Sequence, residues 1–310
     1  MQRYCFFKNL QKKICTFVSA RIMSTLYYWL FLMVLYPLAC LPGRVLFAFS
    51  DVLYFLVYYV FGYRKSVTYT NLARSFPEKN YGEIKKIARQ FYRYFTDLYI
   101  ETIRSLCFSR AKMDRMAYIE NPEVLERYRQ EGRSTVIVTA HYGNWEYFSR
   151  LSLSFPLKVA YKPQRVRAVD KLMTHLRTHY QRECIVPMQQ MARYMLRHKT
   201  ESWNYMFIAD QSPSPQSKCW VRFLNQETLF FGGAEKLARS LDLPVLYAEM
   251  LRTKRGQYRV LFTPVCEHAA RLPEHEITRR YAALMEQSIL REPAYWLWTH
   301  KRWKRRREDR

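Results

Sequence analysis

Glycine is scarce in this chain, with eight residues in 310. No Walker loop or dinucleotide glycine pattern can be assembled from them, which leaves the common nucleotide-binding loops without support. G-x-S-x-G is absent as well, so a serine nucleophile elbow finds no footing. The seven cysteines, at 5, 15, 40, 107, 184, 219 and 266, include no C-x-x-C and no tight cluster. An odd, scattered set argues against a disulfide framework and predicts reduced thiols in a cytoplasm-facing protein. His175 and His179 in HLRTH have metal-ligand spacing on a helix, but Leu176 stands where a zincin needs glutamate and no third ligand is at hand. No metal and no cofactor is expected. Acidic residues are also few, 26 against 51 Lys and Arg, for a net charge of +25. Such an excess points to a polyanionic partner, either nucleic acid or anionic lipid. The aromatic share of 16% suits both, through base stacking or through a membrane interface.

What the chain has instead is a long apolar beginning. Ile22 to Leu41 runs twenty residues without a charge, enough to cross a bilayer core. After Pro42-Gly43-Arg44 a second run, Val45 to Tyr63, is broken only by Asp51. The first is the stronger candidate for a span. A signal peptide fits less well, because the stretch exceeds a usual signal core and no small-x-small site closes it. Residues 1–63 are therefore read as a membrane-anchoring segment, either a hairpin or one span with the second run lying in the interface. Through Tyr63 there are six basic residues and one acidic, so the remainder carries +20 of the +25. The charge bias disfavours exporting it and places residues 64–310 in the cytoplasm.

Residues 64–310 read as one α/β domain. Apolar residues at 84, 87, 88, 91, 95, 98 and 102 follow the helical period. Buried-strand runs fall at 134–140, 157–161, 183–187, 204–209, 243–250 and 257–265. Helical stretches lie between them, at 144–154, 168–182, 188–198, 233–241 and 274–290. Alternation of this kind predicts a largely parallel central sheet flanked by helices, with ligands at the carboxyl ends of strands. His141, Lys162 and Asp210 each follow such an end.

In "IVTAHYGNWEYF" (137–148) a β-branched run stops at Ala140, presents His141, turns through Gly143-Asn144 and reaches Glu146. A separation of five puts two side chains about 140° apart on one helix. They meet only if His141 sits in the strand-to-helix turn. A carboxylate on one imidazole nitrogen would leave the other as a base; a histidine capping a helix beside an exposed glutamate fits the same letters. Gly232-Gly233 before a helix serves either tight packing or an anion. The ending "WLWTHKRWKRRREDR", with tryptophans at 296, 298 and 303 and seven basic residues in the last ten, reads as a contact for an anionic membrane surface.

Together, "NLARSFPE" (71–78), "HYGNWE" (141–146), "YKP" (161–163), "ADQ" (209–211), "FFGGAEKLAR" (230–239) and "WLWTHKRWK" (296–304) resemble the late acyltransferases of lipid A biosynthesis, in the family's order. The resemblance implies a glycerolipid-acyltransferase-like fold with membrane-associated N-terminal helices at the bacterial inner membrane, the catalytic domain facing the cytoplasm. It implies transfer of a fatty acyl group from acyl carrier protein to a hydroxyl of a lipid A precursor. His141 would be the general base and Glu146 its orienting carboxylate. Arg177 would anchor the acceptor or organise the site, with Lys162, Asp210 and Gln211 assigned to substrate binding or site structure. No nucleic acid is then needed to account for the basic surplus, since lipid A phosphates and an acidic carrier protein would both be drawn to it. The chain departs from the family pattern at Gln164-Arg165-Val166-Arg167, where an asparagine is usual, and lacks the glycine common after the arginine. Two rivals stand beside this reading: an acyltransferase of the same superfamily using another lipid, and a non-catalytic basic protein binding anionic lipid or nucleic acid.

Overall fold

In the computed structural model, residues 23–151, 155–179, 181, 183–213, 216–305 and 307 are described. Cys5, Cys15, the basic residues ahead of Ile22 and the end of the C-terminal tail lie outside them.

Two apolar helices come first. α1, Met23–Ala39, is the shorter. α2, Gly43–Phe55, continues through a π-turn at Leu56–Val60. Gly43–Val60 is the one helix among the described residues long and apolar enough to cross a membrane. The sequence favoured the first run for that part. Within the described residues that run is helical over 23–39 and breaks at 40–42, because Pro42 disfavours a helical Leu41.

α3 (Lys65–Ser75) and the long amphipathic α4 (Tyr81–Arg104) follow. An Asn80–Glu83 capping box starts α4, each side chain satisfying the other's free amide. Then come α5 (Arg110–Met116), β1 (Ala117–Ile119), α6 (Glu123–Gln130), β2 (Thr135–Thr139), α7 (Phe148–Leu151), β3 (Leu157–Tyr161), α8 (Arg167–Thr178), β4 (Ile185–Pro187), α9 (Met188–Arg197) and β5 (Asn204–Ile208). The last part holds β6 (Cys219–Phe223), β7 (Gln226–Phe230), α10 (Gly233–Ser240), β8 (Val245–Lys254), β9 (Gln257–Cys266) and α11 (Glu276–Arg291).

Seven strands form one sheet in the order β1-β9-β8-β2-β5-β3-β4, and β6 and β7 form a separate antiparallel pair. Within the large sheet every pairing is parallel except β8 with β9. All six strand runs read from the sequence are present. β1, β6 and β7 were not foreseen, being short or half-exposed. The face alternates along β2: Val136 and Val138 join one apolar cluster with α4, α9 and α11, while Ile137 joins the other with α5, α6 and α7. A strand buried on both faces loses its polar/apolar alternation, and this is why β2 reads as an unbroken β-branched run.

Cys40 and Cys107 form a disulfide, with Cα atoms 5.6 Å apart. This corrects the expectation of reduced thiols for that pair. At a sequence separation of 67, spacing carried no sign of it. Cys219 and Cys266 are in no disulfide, and the Cys184 thiol donates to the Arg177 carbonyl at 3.3 Å.

Candidate active site

The register of β2 against β5 builds the centre. Thr139 lies opposite Ile208, so His141 and Asp210, each two residues further on, leave adjacent parallel strands at the same level. His141 Nδ1 is 2.6 Å from Asp210 Oδ1, and the His141 backbone N–H donates to Oδ2 at 2.9 Å. Trp296 Nε1 donates to the same Oδ2 at 2.8 Å. Burial of Asp210 raises its pKa, but the positive charge available to His141 and these hydrogen bonds outweigh it, holding the carboxyl down at about 2. Ionised, Asp210 accepts only, so it selects the imidazole tautomer with hydrogen on Nδ1. The other nitrogen, Nε2, is then a bare acceptor, and Gln211 Nε2 lies 3.1 Å from it.

The carboxylate on the imidazole is thus Asp210's. Glu146, foreseen in that role, is engaged elsewhere: Arg177 Nε and an Nη atom donate to its two oxygens at 2.7 and 2.6 Å. Burial raises the Glu146 pKa, yet Arg177 prevails and the net shift is downward. The pair lines the same cleft as His141, and Lys162 and Gln211 line it too. The cleft encloses about 610 Å³. All six residues named from the sequence therefore converge, five on the cleft wall and Asp210 directly behind His141. Breaking a fully buried ion pair from one side costs about 3–5 kcal/mol, and this pair, with Arg177 20% and Glu146 11% exposed, should lose part of that. Arg177→Leu alone is accordingly expected to lower the melting temperature more than Arg177→Leu with Glu146→Leu. Strict additivity in thermal unfolding of the purified variants would show that the two are not coupled.

The turn presenting His141 is clamped by distant segments. The Tyr94 hydroxyl on α4 donates to the Gly143 carbonyl at 2.5 Å, and Asn144 Nδ2 donates to Glu101 Oε2 at 3.0 Å. Glu101 is fully buried, and that burial, against the opposing pull of Arg252, pushes its carboxyl up to about 7. From the other side the C-terminal segment pairs with the turn: Gly143 N–H donates to Tyr295 O and Leu297 N–H to His141 O, each at 3.1 Å. Gly143 has φ +60°, and a Cβ there would lie 2.3 Å from the Met250 carbonyl oxygen. Neither the left-handed backbone nor a clash with main chain can be relieved by a side-chain rotation. Gly143→Ala is expected to cost more than about 2 kcal/mol, read as a lowered melting temperature with a matching loss of activity.

Trp296, Tyr94 and Glu101 were not singled out from the sequence as parts of a site. Only knowledge of which segments pack behind β2 could have found them. The C-terminal tryptophans also need correcting. Trp296 and Trp298 are fully buried, and Trp303 donates to Thr228 Oγ1 at 2.7 Å. They belong to the core beside Asp210, not to a membrane surface. His175, between Tyr28 at 3.2 Å and Tyr36 at 3.1 Å, ties α8 to α1. Among the described residues no group of His, Cys, Asp and Glu is placed to hold a metal. A Cβ on Gly233 would lie 2.1 Å from the Phe231 ring, and the acidic Glu235 occupies the first turn of α10. Packing against the Phe231 ring accounts for Gly233, whereas a Cβ on Gly232 would meet nothing within 4 Å.

Residues 16–305 match the family model of the bacterial lipid A biosynthesis acyltransferases. A curated relative, the lipid A biosynthesis acyltransferase of Haemophilus influenzae, is 22% identical over 253 residues, covering 80% of this chain and 79% of the relative.

Proposed function

The chain belongs to the bacterial lipid A biosynthesis acyltransferase family and is an acyltransferase, and on that premise we propose that it carries a fatty acyl group from acyl carrier protein to a hydroxyl of a lipid A precursor, with His141 as general base. The observation that carries this reading is the Asp210–His141 pair, 2.6 Å apart at the wall of the cleft with Nε2 turned away from the carboxylate.

The acceptor hydroxyl attacks the thioester carbonyl as His141 Nε2 takes its proton. Asp210 holds the Nδ1 hydrogen and stabilises the imidazolium. The tetrahedral intermediate then collapses, the carbon–sulfur bond breaks, and the departing thiolate receives the proton from Nε2. Two substrates become an ester and a thiol, with no covalent acyl-enzyme. Gln211 gives way on Nε2 to the acceptor hydroxyl when the acceptor binds. The Glu146–Arg177 pair shapes the cleft wall, and the exposed Lys162 supplies positive charge for an acceptor phosphate.

The enzyme works on the cytoplasmic face of the inner membrane. Support comes from the +20 charge of residues 64–310 and from the apolar surface of α1 and α2, where Trp29, Phe31, Met33, Phe49, Val52 and Phe55 are all exposed. The Cys40–Cys107 disulfide is a bond that a reducing cytoplasm opposes, and the charge of residues 64–310 outweighs it in this placement. The test is mass spectrometry of lipid A from a strain lacking the gene. Loss of one secondary acyl chain, restored by the wild-type gene, is expected. Unchanged lipid A with an altered phospholipid or aminolipid would transfer the activity to another acceptor.

A further inference from the structure

α2 is long enough to span, yet its midpoint is surrounded by charge. Asp51 stands near the centre of Gly43–Val60 and is paired with Arg255 at 2.9 Å and Arg93 at 3.6 Å. Ser50 donates to the buried Asp97 at 2.7 Å. One turn earlier, the Phe47 ring lies under Arg255 at 4.6 Å and Arg104 at 5.7 Å. A helix crossing the bilayer would carry this network to the middle of the hydrocarbon, where ionised groups are least tolerated. The opposite face has no such groups: Val45, Phe49, Val52, Phe55 and Tyr59 are exposed at helical spacing. An exposed apolar face against a face whose midpoint carries a charged network is the pattern of a helix lying in the interface plane.

On the charged side α4 carries Lys85, Arg89 and Arg93 in an i, i+4, i+8 stripe, with Lys86 beside it, all exposed. With Tyr54 of α2 they line a groove of about 450 Å³. The Arg93 guanidinium lies 5.5 Å from the centre of the Tyr54 ring, and Arg89 reaches the tyrosine hydroxyls of Tyr54 and Tyr59. Among the described residues, Lys85, Lys86 and Arg89 are in no ion pair with a carboxylate. The groove shares no lining residue with the catalytic cleft. Through Arg89 it reaches Tyr59, one of the exposed residues of α2, and tyrosines with basic side chains are the groups that meet lipid phosphates at a bilayer interface.

We propose that α2 lies flat in the membrane interface and that the Lys85–Lys86–Arg89 groove beside it binds the phosphate of an anionic phospholipid headgroup. This rests on the membrane-associated reading above and adds to it a lipid site separate from the acceptor's. An acidic carrier protein could use the same charges, but Tyr54, Tyr59 and the adjoining apolar face favour a lipid surface.

The experiment is vesicle flotation of the full-length chain, diluted from detergent, with phosphatidylcholine vesicles and with vesicles that also contain phosphatidylglycerol. Wild type should bind neutral vesicles through its apolar face and bind anionic ones on the order of 100-fold more tightly at low salt, a few-fold per basic residue. The variant Lys85→Gln/Lys86→Gln/Arg89→Gln should keep the neutral binding, lose most of that gain and retain acyl transfer in detergent micelles, which also shows that it folds. Lys85→Arg/Lys86→Arg should keep the gain. A full gain in the glutamine variant, or none in wild type, overturns the groove. Unaltered lipid binding with a raised KM for the carrier-bound donor overturns it in favour of a protein dock. Failure of wild type on neutral vesicles as well removes the membrane reading beneath it, an outcome distinct from the others.

Discussion

Replacing His141 with alanine is expected to lower acyl transfer by roughly 10²–10⁴-fold while leaving the fold intact. That range is what a positioned general base contributes. The imidazole side chain is 16% exposed, and the segment around it is held mainly through the main chain, by Asp210 to the His141 N–H and by Leu297 to the His141 carbonyl. Those bonds survive the substitution. The loss should fall on kcat more than on KM, since the base acts on a proton that moves only in the transition state. Steady-state kinetics and a melting curve of the same preparation check both halves. Wild-type turnover in a folded His141→Ala protein would remove His141 from the chemistry.

The second large effect is expected at Asp210, and it separates this carboxylate from Glu146. Asp210→Asn keeps the shape and can still receive the His141 and Trp296 N–H groups on its oxygen. Its amide cannot both do so and stabilise an imidazolium, and its NH₂ favours the tautomer with hydrogen on Nε2. A base whose nitrogen already carries a hydrogen accepts nothing, so a loss of roughly 10²–10⁴-fold is expected here too. Glu146→Gln should act through Arg177 and the cleft wall, with a smaller loss in kcat. Rate profiles of the two amide variants decide the point. A severe Glu146→Gln beside a mild Asp210→Asn would restore Glu146 to the imidazole.

Why the sequence pointed to Glu146 is a matter of local against tertiary information. Five positions of chain and a glycine turn made the His141–Glu146 pair visible; nothing local says which strand lies next to β2. Asp210 was singled out because it ends a strand, yet its partner depends on β5 standing beside β2 in register, with Thr139 opposite Ile208. The strands themselves were legible because parallel strands buried on both faces leave continuous β-branched runs. β6 and β7 were not, since a short antiparallel pair with mixed burial has no such signature. The tryptophans misled for a related reason. A ring that buries its body and donates one N–H suits a wet interface and a dry core equally, and only the Trp296–Asp210 bond distinguishes them. Apolar length made α1 and α2 both visible, whereas the charges around Asp51 come from α4 and β8–β9 and are tertiary.

The most direct test of the account is a quenched time course with purified full-length protein, acyl carrier protein thioester and a lipid A precursor, followed by mass spectrometry of the lipid and of the intact protein. The account predicts a product one ester-linked acyl chain heavier than the acceptor, appearing with no acylated protein at any time point and absent with His141→Ala. Accumulation of an acyl-enzyme, or acylation of a phospholipid while the lipid A precursor stays unchanged, would contradict it.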